Sequence, residues 1–378
     1  AERTIELESE KLDYMNLELA PELATIHLLT SPEDAELLIN GTPSGSATQS
    51  LSLPTHEHRI TVRRAGYATY ETAVTPRKGV EKRFKIRLRT EQEMARAGRQ
   101  RQSSKKGFAT TFAGQEMKLF TGGQIMLGSS RRERGRRANE VQREVTLKRP
   151  FYLSVKEVTN GEFRKFLASH RSKPFEKNEL DKNEQPVADI SWELAATYCN
   201  WLSRRDGLPL FYQIKFGAVL GINPDATGYR LPTEAEWEWV ARVPPKGRLT
   251  IFPWGEKFPP RGRSGNYADS TAANIMGGTI EGYFDGFAVA APVGSFAINL
   301  RGLYDTGGNV AEWVHDYYDA APSIAPSLDP LGPPAGAQHV IKGSSWAHGS
   351  VTELRLAYRD YGDEGRDDLG FRLARYAQ

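Results

Sequence analysis

A single cysteine, Cys199, stands in a chain of 378 residues. One thiol cannot close an internal disulfide, so a disulfide-framed scaffold is excluded while the redox compartment stays open. No stretch approaches the length of apolar sequence that a membrane span needs. Histidine is scarce as well: His27, His56, His58, His170, His315, His339 and His348 are scattered without metal-ligand spacing. No Gly-rich phosphate loop, nucleophile elbow or Cys–His pair is present. The formal net charge of +3 is too mild for this length to argue for nucleic acid. There is neither an initiator Met nor a leader-like segment, so residue 1 is expected to be a processing boundary.

What is present points to two kinds of domain. The 35 Gly, 22 Pro and 39% hydrophobic residues suit a loop-rich globular chain. All seven Trp lie between Trp192 and Trp346, and the first half has none. Residues 22–90 read as short alternating strands at 24–29, 35–39, 51–53, 58–63, 70–74 and 83–88. Ser-Pro-Glu-Asp (31–34), Asn-Gly (40–41) and Ala-Gly-Tyr (65–67) supply the turns between them. Residues 2–21 also align without a gap on 71–90, with Ile5 on Val74, Met15 on Phe84, Leu17 on Ile86 and Leu19 on Leu88. Residues 1–21 are therefore expected to be the closing strands of a preceding repeat.

Residues 91–114 begin polar and basic and are expected to be a linker. A second basic stretch, 131–137, has five Arg in seven residues. It lacks interleaved aromatics to stack bases and reads as a solvated loop. The large domain, 115–378, shows three helix starts. Thr159 caps one with Glu162 closing a capping box, Ser191 caps a second, and Thr233 caps a third with Glu236 three residues on. Cys199 falls mid-helix on an apolar face, the place of a small core residue. The long irregular stretches that follow need something beyond a simple core to order them, and bound metal is one physical answer.

The pattern Ser-Pro-x-x-Ala-x-Leu-x-Ile-Asn-Gly, followed by Ser-Leu-Pro and by His-x-Ile-x-Val-x-x-x-Gly-Tyr, resembles a PEGA module. It departs from that family's Pro-Glu-Gly-Ala at Pro-Glu-Asp-Ala (32–35). From Met117 to Arg375 a second series runs in order. It includes Lys-Glu-Val-Thr-Asn-Gly-Glu-Phe (156–163), Tyr-Arg-Leu-Pro-Thr-Glu-Ala-Glu-Trp (229–237), Phe-Pro-Trp-Gly (252–255) and Gly-Leu-Tyr-Asp-Thr-Gly-Gly-Asn-Val-Ala-Glu-Trp (302–313). Gly-Ser-Ser-Trp (343–346) and Gly-Phe-Arg (370–372) complete it. The series resembles the formylglycine-generating, or sulfatase-modifying-factor, family. The expected fold is α+β: a small N-terminal PEGA-like β-sandwich, then a loop-rich C-type-lectin-like domain.

The resemblance implies structural calcium at two positions. The first would use Asn266 and Asp285 with the carbonyls of Tyr267 and Phe287; the second would use Asp305 and Glu312 with the carbonyls of Gly308 and Val310. These are hard oxygens of the kind calcium takes. The family's catalytic cysteines do not carry over, because His348 and Val351 stand in their places. The thiolate pair that binds copper(I) is missing, and no copper is expected. Trp346, His348, Arg355, Arg359 and Asp360 mark the groove that the family uses for substrate. The resulting expectation is a calcium-stabilised, non-catalytic recognition or regulatory module. It would bind a peptide, protein or glycan, in the periplasm or at the surface of a bacterial cell. The alternative is a cysteine-independent oxidase or modifying enzyme of the pyoverdine-maturation type, with His348 or a carboxylate as general base.

Overall fold

A computed structural model of the chain describes residues 22–90, 93, 107–246 and 248–377. The expected repeat at 1–21 lies outside them. The chain divides into two compact units after Thr90. The first contains β1 (Leu23–Ser31), β2 (Glu36–Ile39), β3 (Thr42–Ser46), β4 (Gln49–Pro54), β5 (His58–Arg63), β6 (Tyr70–Val74) and β7 (Lys82–Arg87). They form two sheets, ordered β4–β1–β7 and β3–β2–β5–β6. Alternation does the work: β1 buries Ala24, Ile26, Leu28 and Thr30 while intervening residues stay more open. Ile26, Leu28 and Ile86 from one sheet meet Leu37, Ile60, Val62 and Val74 from the other in a single core. β3 was not expected. Its Thr-Pro-Ser-Gly-Ser has no apolar face, and it is held to β2 by a tight turn at Asn40 and Gly41, both at positive φ (53° and 86°).

The second unit is strand-rich with few helices. β8 (Phe108–Thr110), β9 (Glu116–Phe120), β12 (Phe151–Ser154) and β20 (Ala374–Tyr376) make a sheet ordered β20–β12–β9–β8. The expected linker therefore ends early, since Phe108–Thr110 pairs with β9. β10 (Gly123–Leu127), β11 (Arg143–Leu147) and β16 (Ser327–Leu328) form a second sheet, and β13 (Tyr212–Lys215) pairs with β14 (Ala218–Ile222). The fourth, β18–β17–β15–β19, joins β15 (Ala311–Tyr317), β17 (His339–Lys342), β18 (Arg359–Gly362) and β19 (Leu369–Phe371).

The helices are α1 (Asn160–Phe163), α2 (Trp192–Asp206) and α3 (Glu234–Arg242), capped by Thr159, Ser191 and Thr233. Capping boxes close at Glu162 and Glu236, each satisfying two otherwise unpaired backbone N–H groups. α2 buries Trp192, Ala195, Tyr198, Cys199 and Leu202 against β12, β19 and β20 residues in the main core. No described helix is long and apolar enough to cross a membrane. The fourth sheet positions the site, because the loops entering and leaving β15, β17, β18 and β19 carry the residues considered next.

Candidate functional site

The loop that enters β15 turns on two residues with left-handed backbone, Asp305 (φ 56°) and Asn309 (φ 71°). Asp and Asn tolerate that region better than other side chains that carry a Cβ. Asn309 is buried and fully engaged. Its Nδ2 donates to Glu157 Oε2 (2.8 Å), and its Oδ1 accepts from Ala291 N (2.8 Å) and Asn266 Nδ2 (3.0 Å). Glu157 also accepts from Val310 N at 3.1 Å. Glu312 is clamped by Arg372 (Nη2 2.6 Å, Nε 2.7 Å) and by Trp237 Nε1 (2.8 Å). Burial and the neighbouring Asp305 and Glu312 carboxylates push Glu157 well above the usual carboxylate range. Burial also pushes Asp305 up to about 6, although Gly294 N–H donates to its Oδ2 at 2.6 Å. Glu157 and Asn309, the centre of this network, were not among the residues expected from sequence.

Three buried side-chain oxygens receive no hydrogen bond among the described residues: Asn139 Oδ1, Asn266 Oδ1 and Asp305 Oδ1. Two of the three are expected calcium ligands. An unsatisfied buried acceptor costs about 1–3 kcal/mol, and a hard cation relieves that cost. The donor set therefore fits calcium at Asn266 and Asp305. Asp285 is engaged differently, accepting from Tyr267 N and Phe287 N, both at 2.9 Å, and burial pushes it up to about 6. Asp269, unremarked in the sequence, accepts from Asp285 N and from Thr271 N. Tyr267 links the two loops by donating from Oη to Gly307 O at 3.0 Å. Among the described residues no three Asp, Glu, His or Cys side chains converge as a metal cluster. A cation at the first position would lean on Asn266 Oδ1 and the carbonyls of Tyr267 and Phe287, and one at the second on Asp305 Oδ1, the carbonyls of Gly308 and Val310 and the Oε1 lone pair that Arg372 leaves to Glu312.

The groove residues separate into two sets. His348 and Asp360 remain partly accessible. Trp346 is buried with Phe175 edge-on at 5.0 Å, its Nε1 without an acceptor among the described residues. Arg355 and Arg359 are both buried, and Arg359 borders a cavity lined by Glu234, Asp316 and Asp319. Arg355 donates to Glu133 Oε1 (2.9 Å), Gly135 O (2.7 Å) and both oxygens of Glu140. Arg359 donates to Glu234 (2.5 Å) and to the carbonyls of Asn139 and Asp319. The sequence shows their charge but gives no sign of these distant carboxylates.

His348 is held in place. Its Nδ1 accepts from Ser345 N (3.1 Å), and its Nε2 lies 3.9 Å from Asp368. Ser345 Oγ donates to Asp368 at 2.7 Å rather than to the imidazole, and Ser345 is fully buried. Serine, histidine and aspartate thus meet without the serine-to-histidine hydrogen bond that activates a nucleophile. Burial raises the Asp368 carboxyl, but Arg366, His348 and Ser345 outweigh it and hold it below the usual range. Val351 packs with Phe252, Tyr267, Tyr283 and Leu354 and offers no donor atom. Cys199 is fully buried in α2, and burial pushes its thiol well up.

Comparison with known proteins agrees with the two units. The profile of the sulfatase-modifying factor enzyme 1-like domain matches residues 100–377, and that of the PEGA domain matches residues 23–92. The formylglycine-generating enzyme of Mus musculus is 35% identical over 200 residues, covering 52% of this chain and 45% of its own. The inactive C-alpha-formylglycine-generating enzyme 2 of Bos taurus is 31% identical over 289 residues, 68% of this chain and 87% of its own. The chain spans about half the length of the formylglycine-generating enzymes it matches. Among solved structures, PvdO from Pseudomonas aeruginosa is similar at a TM-score of 0.55 and 26% identity, over 71% of this chain and 98% of its own. Treponema denticola variable protein 1 shares the fold at a TM-score of 0.57 and 23% identity, with the same two coverages.

Proposed function

Because the chain belongs to the sulfatase-modifying factor enzyme 1-like family, we propose that it is a non-catalytic recognition module on that scaffold. One observation carries the reading. The chain's only thiol, Cys199, is sealed in the core, while His348 and Val351 occupy the positions where the family resemblance places thiols. Neither can supply the paired soft sulfur that copper-dependent oxidation of a cysteine substrate requires. Calcium at Asn266 and Asp305 would order the loops around this face, a structural part of a C-type-lectin-like arrangement. Its ligand is then a peptide, protein or glycan. The PEGA unit ahead of it supports a setting in a bacterial periplasm or at the cell surface.

The likeness to PvdO favours a second reading, a cysteine-independent modifying enzyme in which His348 serves as general base. The expected result separates the first reading from catalysis. A cysteine-containing sulfatase peptide incubated with the full chain, copper and oxygen keeps its mass. A mass loss matching conversion of thiol to aldehyde overturns the proposal. Turnover of any substrate that His348→Ala abolishes, with the tryptophan fluorescence unchanged, favours the second.

A further inference from the structure

The arginine-rich stretch 131–137 is a built feature rather than a free loop. Successive turns run from Ser130 O to Glu133 N, from Glu133 O to Arg136 N and from Arg137 O to Glu140 N. Arg136 donates to Ser129 O and Glu140 O at 3.1 and 3.3 Å. Buried Arg355 ties Glu133, Gly135 and Glu140 to the segment after Val351. Gly135, at φ 84°, lies so close to Thr352 that a Cβ there would sit 3.1 Å from its Cα.

The turn holds like charges together. Arg131, Arg132 and Arg134 are exposed, and among the described residues their guanidinium groups make no ion pair or hydrogen bond. Fixing them side by side costs repulsion that a free loop would relieve. Arg137 leads from this turn to the vacated catalytic position. It donates to Tyr358 Oη at 3.2 Å and lies 5.6 Å from that ring's centroid, and His348 stands edge-on to the same ring at 6.3 Å. Beyond His348 the charge is spent, because Arg366 is paired with Asp360 and Asp368, both at 2.9 Å. Glu353 is held by Ser350, and Asp363 and Glu364 are exposed in the turn after β18. The surface is therefore positive at one end only.

From this arrangement we propose that residues 131–137 and the row Arg137–Tyr358–His348 form one docking surface for an acidic polypeptide segment. The segment would set its carboxylates on Arg131, Arg132 and Arg134 and lay its chain across His348. Pre-ordering of the turn by Arg355 lowers the entropic cost of binding. Nucleic acid fits poorly, since Tyr358 is buried and covered by Arg137 and leaves no aromatic face for a base. An anionic membrane fits poorly too, because the turn has no apolar anchor. The inference rests on the recognition reading above and adds the chemistry of its partner.

The test is fluorescence anisotropy on the full chain with a labelled peptide rich in glutamate and aspartate, against a lysine-rich control. The acidic peptide binds, the control does not, and affinity falls as salt rises. Simultaneous Arg131→Glu, Arg132→Glu and Arg134→Glu lowers affinity by at least about tenfold. Since these side chains hold nothing together, tryptophan fluorescence stays native. His348→Trp, which fills the row, also weakens binding. Unchanged affinity after charge reversal overturns the proposal. So does loss with the reversal but none with His348→Trp, which would make the turn an isolated patch. Binding of phosphatidylserine vesicles but not of peptide overturns it in favour of a membrane. Aldehyde formation on a sulfatase peptide would instead sink the recognition reading, a separate outcome.

Discussion

The two units place their charges in opposite ways. In the first, Arg63–Glu36, Arg64–Asp34 and Lys78–Glu22 all lie at the surface, with every partner 33% exposed or more. In the second, Arg230–Glu236, Arg355–Glu140, Lys342–Glu238 and Arg372–Glu312 are almost wholly excluded from water. A sandwich of alternating strands needs no ionic contacts inside, because each strand fixes which residues face the core. The second unit has long stretches without regular pairing. Several of its buried pairs join places far apart in sequence, Arg355 to Glu140 across 215 residues and Arg359 to Glu234 across 125. Such pairs add little over apolar packing but are costly to break, since the survivor is an unpaired buried charge. They act as locks on loop position.

The sharpest way to test that difference is Glu236→Ala. It strips buried Arg230 of both carboxylate contacts (2.7 and 2.6 Å) and opens the α3 capping box. A loss of about 3–5 kcal/mol is expected in chemical unfolding followed by tryptophan fluorescence. Since every Trp belongs to the second unit, that signal leaves the first unit out. A loss no larger than a surface substitution gives would remove the contrast between buried and exposed pairs.

Calcium comes next. Chelation with EDTA should lower the melting temperature of the second unit by several degrees and leave the first unchanged. No shift, with no metal found by elemental analysis, would sink the calcium assignment at Asn266 and Asp305. Acid then separates the units again. Burial holds His315 down at about 3 and His339 at about 4, both from 6.5. Between those values and 6.5 only the unfolded chain takes up the protons, so unfolding is favoured as pH falls through that window. Buried Asp305 and Asp285, raised to about 6, act the other way, since the folded chain takes up their protons first. The histidine contribution is therefore read by difference: as pH falls from about 6 to about 4, His315→Phe should lose less stability in the tryptophan-monitored transition than the unsubstituted chain. An equal loss in both would exclude His315 from that contribution. The smallest effect belongs to Arg63→Ala in the first unit, where the pair is exposed and no change in melting temperature is expected. A clear drop there would blur the contrast.

The sequence disclosed those parts that rest on local chemistry. Thr159 with Glu162 and Thr233 with Glu236 marked their helix starts because a capping box is closed by side chains three residues apart. Six of the strands in the first unit followed from alternation with turn residues between, and two of them, β1 and β4, are longer at both ends than expected. β3 escaped because its residues are mostly exposed and it is held by pairing with β2 and by Gln49 Nε2 donating to the carbonyls of Ser44 and Ser46. Of the site, Asn266 and Asp305 entered through the family resemblance, and their buried oxygens without a hydrogen bond among the described residues are visible only in the structure. Arg355 and Arg359 were expected at the groove from the family resemblance, and a lone sequence could not show that Glu140 and Glu234 are their partners. Glu157 joins Val310 from 153 residues away, a contact that nothing near either residue announces. The turn at 131–137 read as solvated for the same reason, since its anchor, Arg355, lies more than two hundred residues downstream.

Cys199 has a practical meaning quite apart from catalysis. Its sulfur is enclosed by α2 and the main core, and burial keeps the thiol protonated. Thiol reagents attack the thiolate, so the native protein should be inert to them. Labelling then requires α2 to leave the core, and its rate under mild conditions becomes a clock for that opening. One residue with no partner to pair with gives the second unit a built-in reporter that the cysteine-free first unit cannot confuse.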